Sequence, residues 1–298
     1  MCRKRLLSLP LLFPFLLLLF SSASNRIHAQ NTDHLQYLTP EKALSFAEWL
    51  YHVDKDYTRA ASEYTRYQFI RGSVEDSVQF RIALCKKRTG WFDESASLLS
   101  EIRMNYASPW YVKAQFHLSH SLFLSARYVE SKSTAQGISE HADGFDKTRS
   151  LRLAMLGALI TKQWDEAEQT SQRLSDKGNP IWYSPLLEQG KSLPAKKPWV
   201  AAALAAAVPG LGKIYTSEWE DGLYTFAYVA LSTWLAVDGF EKDGSKSVKG
   251  WLFGGLAGTL YFGNIYGAVE SARRLNAAAE DNFKARIRAT AETLGDEE

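Results

Sequence analysis

Residues 206–215 read AAVPGLGKIY, and two long segments follow them, GLYTFAYVALSTWLAV at 222–237 and GWLFGGLAGTLYFGNIYGAV at 250–269. Neither long segment carries a charged residue, and charged residues stand immediately outside both. About 20 apolar residues in a helix are enough to cross the hydrocarbon core of a bilayer. The pattern therefore predicts a helical transmembrane hairpin, with spans at about 222–238 and 250–269, inside a membrane domain at 198–276.

A shorter helix is expected at 199–208, ahead of the hairpin. It is mostly alanine and too short to cross a bilayer alone. The dipeptide Pro209-Gly210 interrupts it, which favours an interfacial or re-entrant helix and two spans. An arrangement with two spans and one with three spans would each place basic residues on the cytoplasmic side. The positive-inside rule therefore decides neither the number of spans nor the side of the C-terminal tail.

The second long segment has a stripe of small residues, because Gly255, Thr259, Gly263 and Gly267 recur at every fourth position. Such a face lets another helix approach closely in lipid. We expect helix packing there, with a homo-oligomer through this glycine-rich span as one form of it. Asn264 lies in the same segment, and its amide is expected to make an interhelical hydrogen bond.

The turn itself carries a resemblance. Pro209, Gly210, Gly212 and Tyr215 resemble the Pro-Gly-x-Gly-x-x-Tyr turn of small bacterial membrane domains, an uncharacterised family found in envelope proteins. These domains are more distantly similar to two-transmembrane-helix domains. The run YFGNIYGA at 261–268, followed by Asn276, is similar to relatives that carry helical repeats in front. The resemblance implies a compact helical hairpin and no established reaction.

Upstream of the membrane domain, the chain has a helical periodicity and an internal repeat. Four aromatic residues, separated by 35, 36 and 36 positions, each precede a small residue by three positions. The period predicts stacked antiparallel helix pairs over 39–195, because one pair cannot bury its apolar face alone. The aromatic residue would open the second helix of each pair, and the small residue would allow close packing. The four pairs are Tyr57 and Ala60, Phe92 and Ser95, Tyr128 and Ser131, and Trp164 and Ala167.

These repeats resemble the tetratricopeptide repeat family. The run DYTRAASEY at 56–64 and the run WDEA at 164–167 match the family's second-helix signature, although the repeats are degenerate. The resemblance implies a concave surface that binds peptides or proteins. A plain spacer is the alternative. The complete fold expectation is all-α, with a degenerate tetratricopeptide-like solenoid followed by the hairpin.

The two ends of the chain have their own signals. Arg3, Lys4 and Arg5 precede an apolar run, so residues 1–29 are expected to be a secretory signal peptide. Only Cys85 would remain after cleavage, which excludes an internal disulfide. Residues 277–298 are expected to be a charged tail that extends the last helix into water and then frays.

Composition and motifs argue against several functions. A net charge of +2 without a basic stripe makes nucleic acid an unexpected partner. His117 and His120 have no further ligand beside them in the sequence, so no metal site is expected. The run GLGK at 210–213 lacks the glycine and hydroxyl positions of a phosphate-binding loop. We therefore expect no catalytic residue, metal or cofactor.

These observations predict a non-enzymatic scaffold or adaptor of the bacterial envelope. Its repeats, exported to the periplasm, would bind envelope proteins or peptides, and the hairpin would tether them to the cytoplasmic membrane. The alternative is a small membrane module for transport, conduction or lipid interaction that the repeats regulate.

Overall fold

The computed structural model describes residues 39–103, 110–141, 144–175 and 184–295, and all regular elements within these ranges are helical. The prediction of an all-α fold is confirmed for this part of the chain. The predicted signal peptide at 1–29 lies outside the described residues. The chain divides into two compact units, Met1–Ser150 and Leu151–Glu298.

The first unit is a succession of helices in which each packs on the next along the chain as far as α6. Thr39 caps the first helix by accepting a hydrogen bond from Lys42 N, and Asp56 caps the second through Arg59 N. The helices are α1 at Pro40–Trp49, which a π-helical turn extends over Leu50–Asp54, α2 at Tyr57–Arg71, α3 at Asp76–Arg88, α4 at Phe92–Arg103, α5 at Tyr111–Leu124, α6 at Tyr128–His141 and α7 at Gly144–Ile160, which continues into the second unit.

The turns inside the helix pairs share one backbone feature. A residue with left-handed backbone geometry stands two positions before each repeat aromatic, at Lys55, Gly90, Ala126 and Lys162, with φ between 57° and 84°. Three of these turns also share a hydrogen bond from a backbone N–H to the carbonyl five residues earlier: Trp91 to Lys86, Arg127 to Leu122 and Gln163 to Ala158. This is the Schellman helix ending. The helix endings therefore recur with the same 35- to 36-residue period as the aromatic residues.

The four repeat aromatics are each the first residue of a helix, and the four small residues that follow them are fully buried, with 0% exposure. Ser95 of α4 and Ser131 of α6 both form hydrogen bonds with serines of α5, Ser95 through its hydroxyl and Ser131 through its backbone carbonyl. Ser95 Oγ lies 3.1 Å from Ser121 Oγ, and Ser131 O accepts from Ser119 Oγ at 2.8 Å. Small side chains allow these helices to approach closely enough for the contacts.

The second unit contains the hairpin and the elements packed on it. Its last helix is 47 residues long and contacts the short helices α9, α10 and α11 as well as α12. The helices are α8 at Trp164–Ser175, α9 at Ser184–Lys191, α10 at Pro198–Ala207, α11 at Leu211–Tyr215, α12 at Trp219–Asp243 and α13 at Val248–Leu294. We call α12 and the part of α13 up to residue 269 the hairpin.

The C-terminal end of α13 differs from the expected solvated tail. The helix continues through residues 277–294, and Phe283, Ile287, Ala291 and Leu294 are at most 2% exposed. Phe283 meets Trp164 of α8 at a ring-centroid distance of 6.4 Å, and Lys162 Nζ lies 2.8 Å from Glu280 Oε2. The apolar residues at helical spacing bury one face, while the charged residues occupy the other.

The hairpin helices are less apolar than the predicted membrane spans require. Within the described ranges, the structure contains no helix that combines the length and the apolar character needed for a membrane crossing. The two predicted spans form helices, but glycine, tyrosine and tryptophan hold many of the positions where a typical span has leucine, isoleucine or valine. The transmembrane character of the hairpin is therefore not supported by this criterion.

Candidate functional site

The predicted turn motif is a packing centre for four helices of the second unit. Leu211 N donates to Val208 O at 3.1 Å, with Pro209 and Gly210 between them. Gly210 has φ 91° and ψ −26°. These are the features of a type II turn, which takes proline at its second position and needs glycine at its third.

Asn264 holds this turn against α13. Its Oδ1 accepts a hydrogen bond from Gly210 N at 3.0 Å, and its Nδ2 donates to Ala205 O at 3.0 Å. The residue is 4% exposed. Asn264 thus satisfies two backbone groups that an interrupted helix would leave unpaired.

The glycines of the motif allow the backbones to meet. A Cβ at Gly210 would overlap the carbonyl oxygen of Gly222, and one at Gly212 would overlap the carbonyl oxygen of Ala201. Gly222 has the reciprocal constraint, because its Cβ would stand 2.7 Å from Gly210 O. Four alanines of α10 and α13 continue the close contact, and all are fully buried: Ala201, Ala205, Ala268 and Ala272.

Tyr215, the last residue of the motif, reaches back to the start of α10. Its hydroxyl accepts a hydrogen bond from Lys197 N at 3.2 Å, and Lys196 Nζ lies 4.5 Å from the ring centroid. Asn276 holds the same linker through both of its amide atoms, accepting from Lys196 N at 2.9 Å and donating to Lys196 O at 2.8 Å. The linker before α10 is therefore fastened to α13.

The small-residue stripe does not pack closely against the part of the chain that the structure describes. A Cβ added at Gly255 or Gly263 would meet no atom within 4 Å, and Gly267 approaches only Lys213 Cε at 3.7 Å. Thr259 is exposed, and its hydroxyl donates to Gly255 O at 2.9 Å. The contact with α12 uses another face of α13, which includes Gly250 against Phe240. The expectation of packing through the stripe is corrected for one chain, and packing against a second copy stays a prediction.

The outer side of the hairpin is apolar and uncovered. We call the following residues the hairpin face; each is between 44% and 72% exposed: Leu223, Tyr224, Phe226, Tyr228, Leu231, Trp234 and Val237 of α12, with Trp251, Leu252, Leu256, Phe262 and Tyr266 of α13. Large exposed apolar patches are rare on monomers in water. The hairpin face therefore needs an apolar partner.

The first unit contains an open groove of about 580 Å³. Arg127 is one of its lining residues and donates to Glu130 at 2.9 Å from Nε and at 2.5 Å from Nη2. These bonds hold the pKa of the Glu130 carboxyl below its usual value. Side chains of α4 and α6 line the walls and two leucines of α5 form the floor: Asp93, Ala96, Ser97, Ser100, Leu118, Leu122, Arg127, Glu130, Ser133 and Thr134.

His117, considered above as a metal ligand, belongs to a buried basic pair. Its Nδ1 lies 2.9 Å from Lys87 Nζ, and both side chains are buried. Burial, together with the charge of Lys87, lowers the pKa of His117 well below its usual value. Among the described residues, no three His, Cys, Asp or Glu side chains form a group able to hold a metal ion.

Comparisons with protein-family models, with curated proteins and with solved structures found no match to this chain. The two resemblances described above therefore stay predictions.

Proposed function

We propose that this protein is a non-enzymatic scaffold or adaptor of the bacterial envelope, held at the cytoplasmic membrane by its hairpin. The helical repeats, on the periplasmic side, bind protein partners. The observation that carries the proposal is the hairpin face, which leaves large apolar side chains of two adjacent helices exposed.

The size of the hairpin face fits a bilayer. Residues 250–269 form a helix about 30 Å long, which equals the thickness of a hydrocarbon core. Trp251 near one end and Tyr266 near the other suit the interfacial belts where amphipathic aromatic rings collect. Transfer of a large side chain from water to an apolar environment contributes roughly 1.5–3 kcal/mol. The twelve side chains of the hairpin face together favour transfer into lipid by much more than the free energy of one side chain.

Mean hydropathy and side-chain exposure are different properties of the hairpin. Mean hydropathy averages over all residues, so the glycines and the buried amide of Asn264 lower it. Exposure selects the residues on the outside, and there the aromatic and aliphatic side chains dominate. Lipid contact is proposed for this outer surface.

The groove of the first unit supports the binding role of the repeats. Its walls carry short side chains and hydroxyl groups, so a peptide backbone could approach the helices and form hydrogen bonds. A regulated transport module was the alternative expectation, and Asn264 motivated it. Because both amide atoms of Asn264 are bonded to backbone groups, this residue gives that alternative no support.

Membrane fractionation tests the proposal. The full chain is expressed in a bacterial host, and the membranes are extracted with alkaline carbonate, which releases peripheral proteins. We expect the chain to stay in the pellet, and the triple variant Phe226→Gln, Leu231→Gln, Trp234→Gln to shift to the supernatant. The control is Phe69→Gln, Val74→Gln, Phe145→Gln, which removes three exposed apolar residues outside the hairpin. Release of the wild-type chain by carbonate would contradict the proposal.

A further inference from the structure

The linker ahead of α10 presents two lysines and a tryptophan in a fixed position. Lys196 N and O are both bonded to Asn276, and Lys197 N is bonded to the Tyr215 hydroxyl. Trp199 follows two residues later and is 68% exposed. An exposed linker would not need three backbone anchors to connect two helices.

The charges of the two lysines are available, unlike those of their neighbours. Arg274 lies 3.7 Å from Glu218, and Lys213 lies 3.8 Å from Asp221. Within the described part of the chain, Lys196 and Lys197 form no ion pair. The Lys196 ammonium lies 4.5 Å from the centroid of the Tyr215 ring. The two ammonium groups can therefore take an anionic ligand without breaking an existing pair.

The position of Lys196 and Lys197 along the hairpin axis is consistent with the surface of a membrane. Asn276, which holds Lys196, is seven residues beyond Val269, or about 10 Å along the helix. The headgroup region extends about 5–8 Å beyond the hydrocarbon core on each side. A lysine stem can bend toward the phosphate level from that height, and an exposed tryptophan belongs at the same interface.

We propose that Lys196, Lys197 and Trp199 form a binding site for the phosphate headgroup of an anionic phospholipid. This inference rests on the proposed membrane location. The ammonium groups attract the phosphate, and the indole ring lies at the boundary between headgroups and acyl chains. The fastening to Asn276 and Tyr215 reduces the entropy lost when the lysines engage the lipid.

Lipid titration of the full chain in mild detergent tests the site. Short-chain phosphatidylglycerol, short-chain phosphatidylcholine and inorganic phosphate are titrated separately, and native mass spectrometry measures the bound fraction. A lysine near an anionic surface contributes about five-fold in affinity, so we expect about 25-fold tighter binding of phosphatidylglycerol than of phosphatidylcholine.

The variant Lys196→Gln, Lys197→Gln should bind the two lipids equally, and Lys196→Arg, Lys197→Arg should keep the preference. The control Lys55→Gln, Lys147→Gln removes the same charge outside the hairpin and should change nothing. Equal binding of both lipids by the wild-type chain, an unchanged preference in the glutamine variant, or equally tight binding of inorganic phosphate would each overturn the site. These results would leave the membrane anchor intact, whereas carbonate release of the wild-type chain would overturn the anchor itself.

Discussion

Asn264 and Gly210 are 54 residues apart in the sequence, yet the asparagine Oδ1 accepts a hydrogen bond from the glycine backbone N–H at 3.0 Å. The second bond of the same amide, to Ala205 O, makes Asn264 the only described side chain bonded to both sides of the Pro-Gly turn. Both bonds are buried, so the backbone groups have no water to replace a lost partner.

Substitution of Asn264 by leucine, which has a similar volume, should therefore destabilise the second unit. One buried donor and one buried acceptor would be left unpaired, at a cost of roughly 2–4 kcal/mol together. Thermal unfolding of the full chain in mild detergent measures the change. Thr259→Ala is the control, because Thr259 is exposed on the same helix. An unchanged midpoint in Asn264→Leu would show that the turn does not depend on the amide.

Glycines of the two hairpin helices should respond differently to alanine. Gly222→Ala should unfold or strongly destabilise the hairpin, because the new methyl group would lie 2.7 Å from Gly210 O. Gly263→Ala should leave the stability of a single chain within about 0.5 kcal/mol, since nothing lies near its Cβ.

The Gly263→Ala variant also tests the predicted homo-oligomer. If a second copy packs on the stripe, the added methyl groups should weaken association in crosslinking while the unfolding midpoint of the single chain stays constant. Unchanged crosslinking would remove the stripe from the oligomer interface.

Helix termination in the repeats predicts a stabilising change. Ala126 has φ 65° and Lys162 has φ 59°, and this conformation costs a residue with a side chain about 1–2 kcal/mol. Ala126→Gly should raise the free energy of unfolding by about 1 kcal/mol, and Lys162→Gly by less, because it also removes the ion pair with Glu280. Gly90→Ala, at φ 84°, should lower it by a similar amount. Destabilisation by Ala126→Gly would contradict the left-handed assignment.

The buried His117 predicts loss of stability in acid. Its pKa is depressed in the folded chain, mainly by burial and then by Lys87, whereas the unfolded chain has the ordinary value of 6.5. The unfolded state therefore binds the proton first, and the free energy of unfolding should fall as the pH drops below 6.5. Chemical unfolding at a series of pH values measures the slope.

His117→Gln keeps an acceptor for Lys87 and cannot titrate, so it should flatten that slope. His52→Gln is the control, because His52 is exposed and paired with Glu48 at 3.1 Å. Equal slopes in the wild type and in His117→Gln would exclude His117 as the group responsible.

The sequence predicts where the helices that open on the four aromatic residues begin, because their signals are local. A polar break, an aromatic residue and a small residue three positions later place the start of α2 at Tyr57 and of α8 at Trp164. The left-handed residue before each aromatic is less visible. Only Gly90 is a residue type that favours a left-handed conformation, and the residue type of Lys55 does not predict one. Its conformation follows from the way two packed helices must be connected.

The second unit is harder to predict because its contacts are distant in sequence. Asn264 was expected to bond another helix, and it does so through Ala205 O of α10, while its second partner is Gly210 N of the turn. The buried face that ends α13 could have been found, since Phe283, Ile287 and Leu294 recur at helical spacing among the charges. The small-residue stripe does not face α12, and sequence alone does not show which glycines do.

Spin labels on the hairpin face test the central claim most directly. Single cysteines replace Leu231 and Phe262 in a chain without Cys2 and Cys85, and Phe69→Cys is the control outside the hairpin. The labelled chains are reconstituted in vesicles, and paramagnetic resonance compares collisions with oxygen, which enters lipid, and with a water-soluble nickel complex. We predict high oxygen and low nickel accessibility at 231 and 262, and high nickel accessibility at 69. High nickel accessibility at 231 and 262 would show that these positions are in water, and low accessibility to both reagents would show that they are buried in protein. Either result would contradict a hairpin held in lipid.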